Sequence, residues 1–255
     1  MRRAADALGS MVPLGETLRI VMTTSFRPLG DLGVLVDLGD GDNADLAVKA
    51  MELAGSLRLA LGSAAHDVVP AYRSVFVRFD PLTTSPARQL MLVSEAVNQV
   101  AIDFSPPEEI RQPRARRITL GVCFGGQNGI DFEQTAHDLG MRERRMRDLI
   151  CQPEYRVAFL GFLAGFPYLL GLPEAFAGAR RLTSPRPRVP AGSVAIAAGQ
   201  CGVYPRTASG GWRLLGLTAA TLFDPERDPA ALMRPGDTVI FEPRDRLADA
   251  IADIA

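Results

Sequence analysis

The sequence predicts two units of different fold class: an α+β N-terminal domain, ferredoxin-like in its element order, followed by a mostly-β domain. Helical and strand periodicities alternate up to Phe104, whereas short β-like segments between proline- and glycine-rich turns follow Tyr155. A proline- and arginine-rich stretch without periodicity, residues 105–117, separates the two regions. A chain of 255 residues also exceeds the usual size of one domain.

These observations set the predicted boundaries. The α+β domain spans residues 23–108, and the β domain spans residues 109–245, with a C-terminal tail at 246–255. Residues 1–22 are predicted to be a flexible N-terminal extension, because they carry basic residues but neither a solid apolar stretch nor a convincing cleavage site.

In the first domain, the apolar run at residues 33–38 predicts a strand. Residues 43–61 place leucine and alanine on one helical face and predict a helix. In residues 67–80 the alternation predicts a strand in at least the second half, and a turn near Tyr72 would make the segment a hairpin. A second helix is expected over residues 86–104. Strand, helix, two strands and helix form the split βαβ pattern of ferredoxin-like domains, provided that one more strand closes the sheet.

In the second domain, residues 118–124 predict a strand that ends at the glycine-rich turn "GGQNG". Asp131 is then expected to cap a single helix that runs towards Ile150. Further β-like segments follow at close intervals, which is typical of an all-β sandwich or barrel. They are "YRVAFLGF", "SVAIAA", "GVYP", "WRLLGLT" and "DTVIFEP".

Composition excludes several classes of function. The formal net charge of -1 argues against a general nucleic-acid binder. Lys49 is the single lysine, so the chain has no P-loop of the usual kind. Three widely spaced cysteines and two histidines suit neither a disulfide framework nor a metal site, and we expect no metal. No apolar run approaches the roughly 20 residues of a membrane span, so we expect a cytoplasmic protein.

Three glycine-rich elements are candidates for chemistry. In residues 124–134, a strand, a turn and a helix start could direct backbone N–H groups towards an anion. Asp131 and Glu133 lie at that helix start, where they serve either as cap and dipole partner or as catalytic groups. Residues 160–173 alternate aromatics with glycines; core packing is expected for Phe162 and a site role for Tyr168.

The third element is residues 180–205, "RRLTSPRPRVPAGSVAIAAGQCGVYP". Prolines hold its backbone extended, so Arg186 and Arg188 are presented as planar, permanently charged groups suited to a carboxylate or phosphate. Ser193 is not expected to be a nucleophile, because "AGSVA" lacks the second glycine and the following helix of a nucleophile elbow. The charged run "MRERRMRD" is expected to be a solvated helix surface.

The sequence closely resembles the B subunit of bacterial 5-oxoprolinase. This carboxyltransferase-domain family is also described as allophanate hydrolase subunit 1, and it includes the sporulation kinase inhibitor KipI. The resemblance covers Phe26 to Pro243 and rests on long motifs in the right order. They are "VPAYRSVFVRFDP", "GGQNGIDFEQTA", "GFLAGFPYLLGLP", "RRLTSPRPRVPAGSVAIAAGQCGVYP", "SGGWRLLGLT" and "LFDPERDPAALMRPGDTVIFEP".

The resemblance implies that the β domain is a cyclophilin-like barrel. It also implies an ATP-dependent hydrolase that converts 5-oxoproline to glutamate together with two other polypeptides, a barrel protein of the C-subunit type and the A subunit of 5-oxoprolinase. ATP is expected to be consumed by the complex, whether or not this chain binds it.

The resemblance also implies a set of site residues. Asp131, Glu133 and Arg186 are the expected catalytic residues. The residues expected to bind substrate or phosphate are Gly125, Gly126, Gly165, Phe166, Tyr168, Arg188, Pro190, Gly192, Ser193, Gln200, Tyr204, Gly211 and Trp212.

Some polar positions of the family are changed here. The family usually has histidine, threonine and arginine where this chain has Ile150, Cys201 and Leu217. These changes leave two alternatives open. One is a non-catalytic regulator that binds and inhibits a histidine kinase, as KipI does, and the other is an allophanate hydrolase-like subunit.

Overall fold

The computed structural model describes residues 24–40, 43–102 and 116–254. The first two of these ranges form one compact unit, and the third forms a second. The predicted extension at residues 1–22, Phe104 and most of the predicted linker lie outside the described residues. Within the described ranges, no helix is both long enough and apolar enough to cross a bilayer.

The first unit is an antiparallel sheet with two helices. Its elements are β1 (Ser25–Leu29), β2 (Gly33–Asp37), α1 (Asn43–Leu61), β3 (Asp67–Pro70), β4 (Ser74–Arg78) and α2 (Pro86–Ile102). The strand order is β1-β2-β4-β3. The predicted face of α1 is buried as expected, and Ala50 and Leu57 are fully inaccessible in the core of this unit.

The strand that completes this sheet differs from the prediction. The ferredoxin-like pattern needs a strand after the second helix, and the described residues contain none there. Instead β1, which precedes the pattern, pairs with β2 at the sheet edge. The unit is therefore α+β, and the ferredoxin-like prediction is not confirmed. The strand β1 contains Pro28 and is mostly exposed, as is common for an edge strand. Its sequence therefore lacks the alternation of apolar and polar residues from which a strand is predicted.

The second unit contains a closed barrel of seven strands. Its elements are β5 (Arg117–Phe124), α3 (Phe132–Asp138), α4 (Glu143–Cys151), β6 (Tyr155–Leu160), β7 (Pro167–Leu170), β8 (Arg186–Val189), β9 (Ser193–Ala197), β10 (Gln200–Val203), β11 (Ala208–Gly210), β12 (Arg213–Leu217), β13 (Thr238–Pro243) and β14 (Ala252–Ile254). The barrel order is β12-β9-β10-β7-β6-β13-β5, and β12 pairs back to β5. The barrel alternative is confirmed over the sandwich, while its likeness to cyclophilin stays a prediction.

Two further features differ from the sequence prediction. The expected single helix towards Ile150 is two helices, because Gly140 adopts φ +65° and ends the first, as glycine does after many helices. The residues predicted to be a tail also contribute to the sheet, since β14 pairs with the N-terminal half of β5.

The barrel wall is buried on both faces. Inward-facing residues such as Val194 and Ile196 join the barrel core. The alternate residues of β9, Ala195 and Ala197, belong to a second cluster on the outer face of the wall, which we call the outer cluster. Its buried members are Phe166, Val189, Ala195, Ala197, Tyr204, Trp212 and Leu214. The two-stranded ribbon β8–β11 contributes Val189 to it.

Tyr155 joins the helical segment to the barrel. Its ring lies 4.9 Å from that of Phe241 in the core, and its hydroxyl donates a 2.8 Å hydrogen bond to the carbonyl of Ile150 in α4. Burial raises the pKa of Tyr155 well above its usual value, so the phenol stays a neutral donor.

We therefore expect Tyr155→Phe to lower the free energy of unfolding by about 1 to 2 kcal/mol, because the buried Ile150 carbonyl loses its donor. Urea unfolding measures the change, with far-UV circular dichroism to check that the native fold is kept. An unchanged unfolding midpoint would show that water or a neighbour replaces the hydroxyl.

Candidate functional site

A bidentate ion pair joins Asp131 to Arg186 across 55 residues of chain. Arg186 Nη1 donates to Asp131 Oδ2 over 2.9 Å, and Nη2 donates to Oδ1 over 2.6 Å. Asp131 Oδ2 also accepts the backbone N–H of Leu214 at 2.7 Å, and the N–H of Asp131 donates to the Leu214 carbonyl at 3.1 Å. Asp131 stands at the N-cap position of α3, as predicted, but its carboxylate makes no capping bond to the helix.

This ion pair fixes the ribbon to the barrel wall. Arg186 belongs to β8 and Leu214 to β12, so one carboxylate holds both strands. The side chains of Arg186 and Asp131 are only 25% and 10% exposed, which makes the pair stronger than a solvent-exposed one. Each charge is neutralised by the other. An anionic ligand would have to compete with Asp131 to use Arg186.

The glycine-rich turn after β5 does not provide the predicted row of free donors. The N–H groups of Gly125, Gly129 and Phe132 donate to the carbonyls of Leu215, Gly125 and Gly129 respectively. A Cβ at Gly129 would lie 2.0 Å from the Leu215 carbonyl oxygen, so glycine is needed there for close packing. The N–H groups of Gly125, Gly129 and Phe132 are therefore not free to bind the phosphates of ATP.

Four of the predicted binding residues meet in one aromatic group on the outer face of the barrel. The Phe166 ring lies 5.1 Å from Tyr168, 5.2 Å from Tyr204 and 5.7 Å from Trp212. A Cβ on Gly202 would come within 2.7 Å of the Phe166 ring, so this glycine makes room for it. We call the four aromatic residues the aromatic face.

Phe162 differs from its predicted core position. It is 61% exposed and adopts φ +66°, which is rare for a bulky residue. The N–H of Leu163 donates to the Gly161 carbonyl at 2.7 Å, so Phe162 stands at the centre of a three-residue turn. Its ring meets Phe166 and Tyr204 edge-on at 5.6 and 6.3 Å. The exposed ring therefore extends the aromatic face to the surface.

Arg181 is a residue that the sequence argument missed. Burial raises the pKa of the Tyr168 phenol, and the charge of Arg181 partly offsets this rise. Burial and the neighbouring Tyr168 raise the pKa of Tyr204, and Arg181 again opposes the change. Arg181 therefore lies near both phenols. It stands in a stretch without periodicity, and only its place in the arginine-rich run "RRLTSPRPR" could have drawn attention to it.

The remaining predicted residues are more scattered. Glu133 is exposed in the first turn of α3, and Arg188 is exposed on β8. Ser193 is buried and its hydroxyl donates to the Pro190 carbonyl at 2.8 Å, consistent with no nucleophilic role. The structure places the others at the barrel's turns and strands: Gly126 after β5, Gly165 before β7, Gly192 before β9 and Gly211 before β12.

Gln200 on β10 has an unusual environment. Its side-chain oxygen Oε1 is buried and has no hydrogen-bond partner among the residues that the structure describes. A buried carbonyl oxygen without a donor costs stability, so such an atom is a natural place for a ligand N–H.

The three cysteines are free, and burial raises the pKa of Cys151 to about 12 and also raises that of Cys201. These two thiols are therefore neutral and poor nucleophiles. Among the described residues, no group of three or more His, Cys, Asp or Glu side chains is placed to hold a metal ion.

The two units together match a known class of domain. Residues 24–233 match the family model described as the carboxyltransferase domain, subdomains C and D. The chain belongs to this carboxyltransferase C/D family.

Within this family, the chain is similar to proteins named as the B subunit of 5-oxoprolinase. It is 47% identical over 136 residues to the one from Escherichia coli O157:H7, which covers 53% of this chain and 62% of that protein. It is 32% identical over 223 residues to the one from Bacillus subtilis (strain 168), which covers 84% of this chain and 90% of that protein.

Solved structures agree with the fold. The structure of TTHA0988 matches with a TM-score of 0.67 and 33% identity, over 83% of this chain and 39% of that chain. The urea carboxylase of Kluyveromyces lactis matches with a TM-score of 0.66 over 91% of this chain and 24% of that chain. At 16% identity, the second match concerns the fold alone.

Two of the changed family positions lie away from the outer face. Ile150 and Cys201 are fully inaccessible and belong to the barrel core. Substitutions at these positions therefore change packing inside the barrel and remove no group from the aromatic face.

We expect Arg186→Ala to lower the free energy of unfolding of the second unit by about 2 kcal/mol, because a mostly buried carboxylate loses its counter-charge. Arg188→Ala is the matched control on the same strand, and it should change stability by less than about 0.5 kcal/mol. Urea unfolding followed by fluorescence of Trp212, the single tryptophan, measures both variants. Equal effects of the two substitutions would contradict a structural role for the ion pair.

Proposed function

We propose that this chain is the B subunit of an ATP-dependent 5-oxoprolinase, which opens the lactam of 5-oxoproline to give glutamate. The observation that carries the proposal is the 32% identity to a 5-oxoprolinase B subunit over 84% of the chain, together with 47% identity to another over half of it. The changed positions Ile150 and Cys201 do not weaken it, since both lie in the barrel core.

In this proposal, opening the lactam of 5-oxoproline requires other polypeptides besides this chain. A lactam is a poor electrophile until its oxygen is phosphorylated, so the reaction consumes ATP and needs positive charge and hydrogen-bond donors placed in advance. Since the N–H groups of Gly125, Gly129 and Phe132 in the glycine turn are bonded within the protein, we propose that ATP binds to a partner. The partners are a barrel protein of the C-subunit type and the A subunit of 5-oxoprolinase. The cytoplasmic location stays a prediction.

The predicted catalytic residues take different roles in this proposal. Asp131 and Arg186 engage each other fully, so they act as positioning residues that hold the ribbon beside the aromatic face. Glu133 is exposed at the start of α3 and remains the candidate acid or base. Arg188 and the aromatic face remain candidates for substrate contact.

The test is reconstitution of the complex. The chain is purified together with its A-subunit and C-subunit partners, and ATP-dependent release of glutamate from 5-oxoproline is measured. Asp131→Ala and Arg186→Ala should each lower turnover at least tenfold, about 1.4 kcal/mol in transition-state stabilisation. Arg144→Ala, on the exposed side of α4, is the control that keeps wild-type turnover.

Absence of ATP-dependent hydrolysis by the complete wild-type complex would overturn the proposal. Inhibition of a co-purifying histidine kinase by the same preparation would then favour the regulator alternative.

A further inference from the structure

Arg181, beside the aromatic face, carries a positive charge that no described carboxylate neutralises. Arg186, the predicted anion ligand, is held by both oxygens of Asp131. Arg181 is exposed, and no described carboxylate lies within ion-pair distance of it. A carboxylate ligand therefore meets less competition at Arg181 than at Arg186.

The backbone on both sides of Arg181 is anchored to the barrel wall. The carbonyl of Ala179 accepts the N–H of Ala198 at the β9–β10 turn over 2.7 Å. The N–H of Leu182 donates to the carbonyl of Gly211 at 2.8 Å, next to Trp212. Arg181 lies between these two anchors, so its Cα is held beside the aromatic face although its side chain is exposed. A charged group on a fixed backbone loses less conformational freedom when it binds.

The same face carries polar groups that complement an amide. Tyr168 on β7 lies opposite Gly202 on β10, and Gln200 precedes Gly202 by two residues. Since alternate residues of a strand share a face, Gln200 and Tyr168 are diagonal neighbours. Gln200 Oε1 is the buried acceptor without a donor among the described residues. The exposed Phe162 ring adds apolar surface next to Tyr204.

We propose that Arg181 binds the carboxylate of a small cyclic amide on this face, and that Gln200 Oε1 accepts the N–H of its ring. The proposal rests on the proposed function, because 5-oxoproline carries a carboxylate and a lactam N–H on the same carbon. The carboxylate of 5-oxoproline would accept hydrogen bonds from the Arg181 guanidinium, and its lactam N–H would donate to Gln200 Oε1. Arg181 and Gln200 are then binding and specificity-determining residues.

Binding is measured first on the full chain by itself. Trp212 is the single tryptophan, and its ring lies 5.9 Å from that of Tyr168, so its fluorescence reports on this face. Titration with 5-oxoproline should change the fluorescence of the wild-type chain. Arg181→Ala should weaken the affinity by about tenfold or more, as expected for loss of a charged hydrogen-bonding partner.

Two comparisons separate a ligand contact from a general effect. Arg180→Ala removes the adjacent exposed arginine and should leave the affinity unchanged. The ligand 2-pyrrolidinone has the lactam but no carboxylate, so Arg181→Ala should not alter its binding, whereas Gln200→Met should weaken the binding of both ligands. Thermal unfolding of Arg181→Ala and Arg180→Ala should coincide.

Kinetics of the complete complex provide the second readout. Arg181→Ala should raise KM for 5-oxoproline at least tenfold with a smaller change in kcat, and Arg181→Lys should restore part of the loss. Hydrolysis of 2-pyrrolidinone, if measurable, should be the same in wild type and Arg181→Ala.

The outcomes distinguish this inference from the proposed function. An active wild-type complex in which Arg181→Ala behaves like Arg180→Ala overturns the inference and leaves the function standing. A complex without hydrolysis, whose isolated chain still binds 5-oxoproline in an Arg181-dependent way, overturns the function and supports the binding site.

Discussion

The ion pair between Asp131 and Arg186 is the interaction on which the outer face of the barrel depends. It connects the start of α3, the ribbon strand β8 and the backbone of β12 through a single carboxylate. The ribbon lies over a wall lined by small residues, Ala195 and Ala197, and together they bury the outer cluster. Because one carboxylate serves three segments, its loss would loosen all of them together. Val189 of the ribbon and Leu214 of β12 both belong to the outer cluster, so the ion pair holds two of the segments that pack against the aromatic residues.

Two glycines of this half of the chain, Gly129 and Gly202, are required for close packing. At Gly129 and Gly202 a side chain would collide with a carbonyl or with an aromatic ring. Glycine-rich turns after a strand suggest a phosphate site only when their N–H groups are free, and here several are bonded within the turn. Under the proposed function, recognition of a small anion would therefore depend on side chains of this chain, and ATP would bind to a partner. This division suits a polypeptide that works within a larger assembly.

Periodicity made much of the fold predictable from the sequence. The face of α1, the hairpin of β3 and β4 and the short barrel strands follow from local patterns, because burial on one side leaves a regular trace. In β9, both faces of the strand are buried, so apolar and polar residues do not alternate along it. The partner of Asp131 could not be predicted, since 55 residues separate it from Arg186 and nothing local marks the contact. Arg181 was missed for the same reason. Phe162 was misplaced because an apolar residue is normally assigned to a core.

The turn at Phe162 has a consequence for engineering. A bulky residue in left-handed backbone geometry costs roughly 1 to 3 kcal/mol, and glycine at the same position would relieve that strain. Laboratory selection for heat resistance alone should therefore favour glycine at this position, and selection for the proposed activity should keep phenylalanine only if the ring takes part in that activity. Comparing the residue recovered at position 162 under the two selections would show whether the strained backbone at this turn is kept for activity.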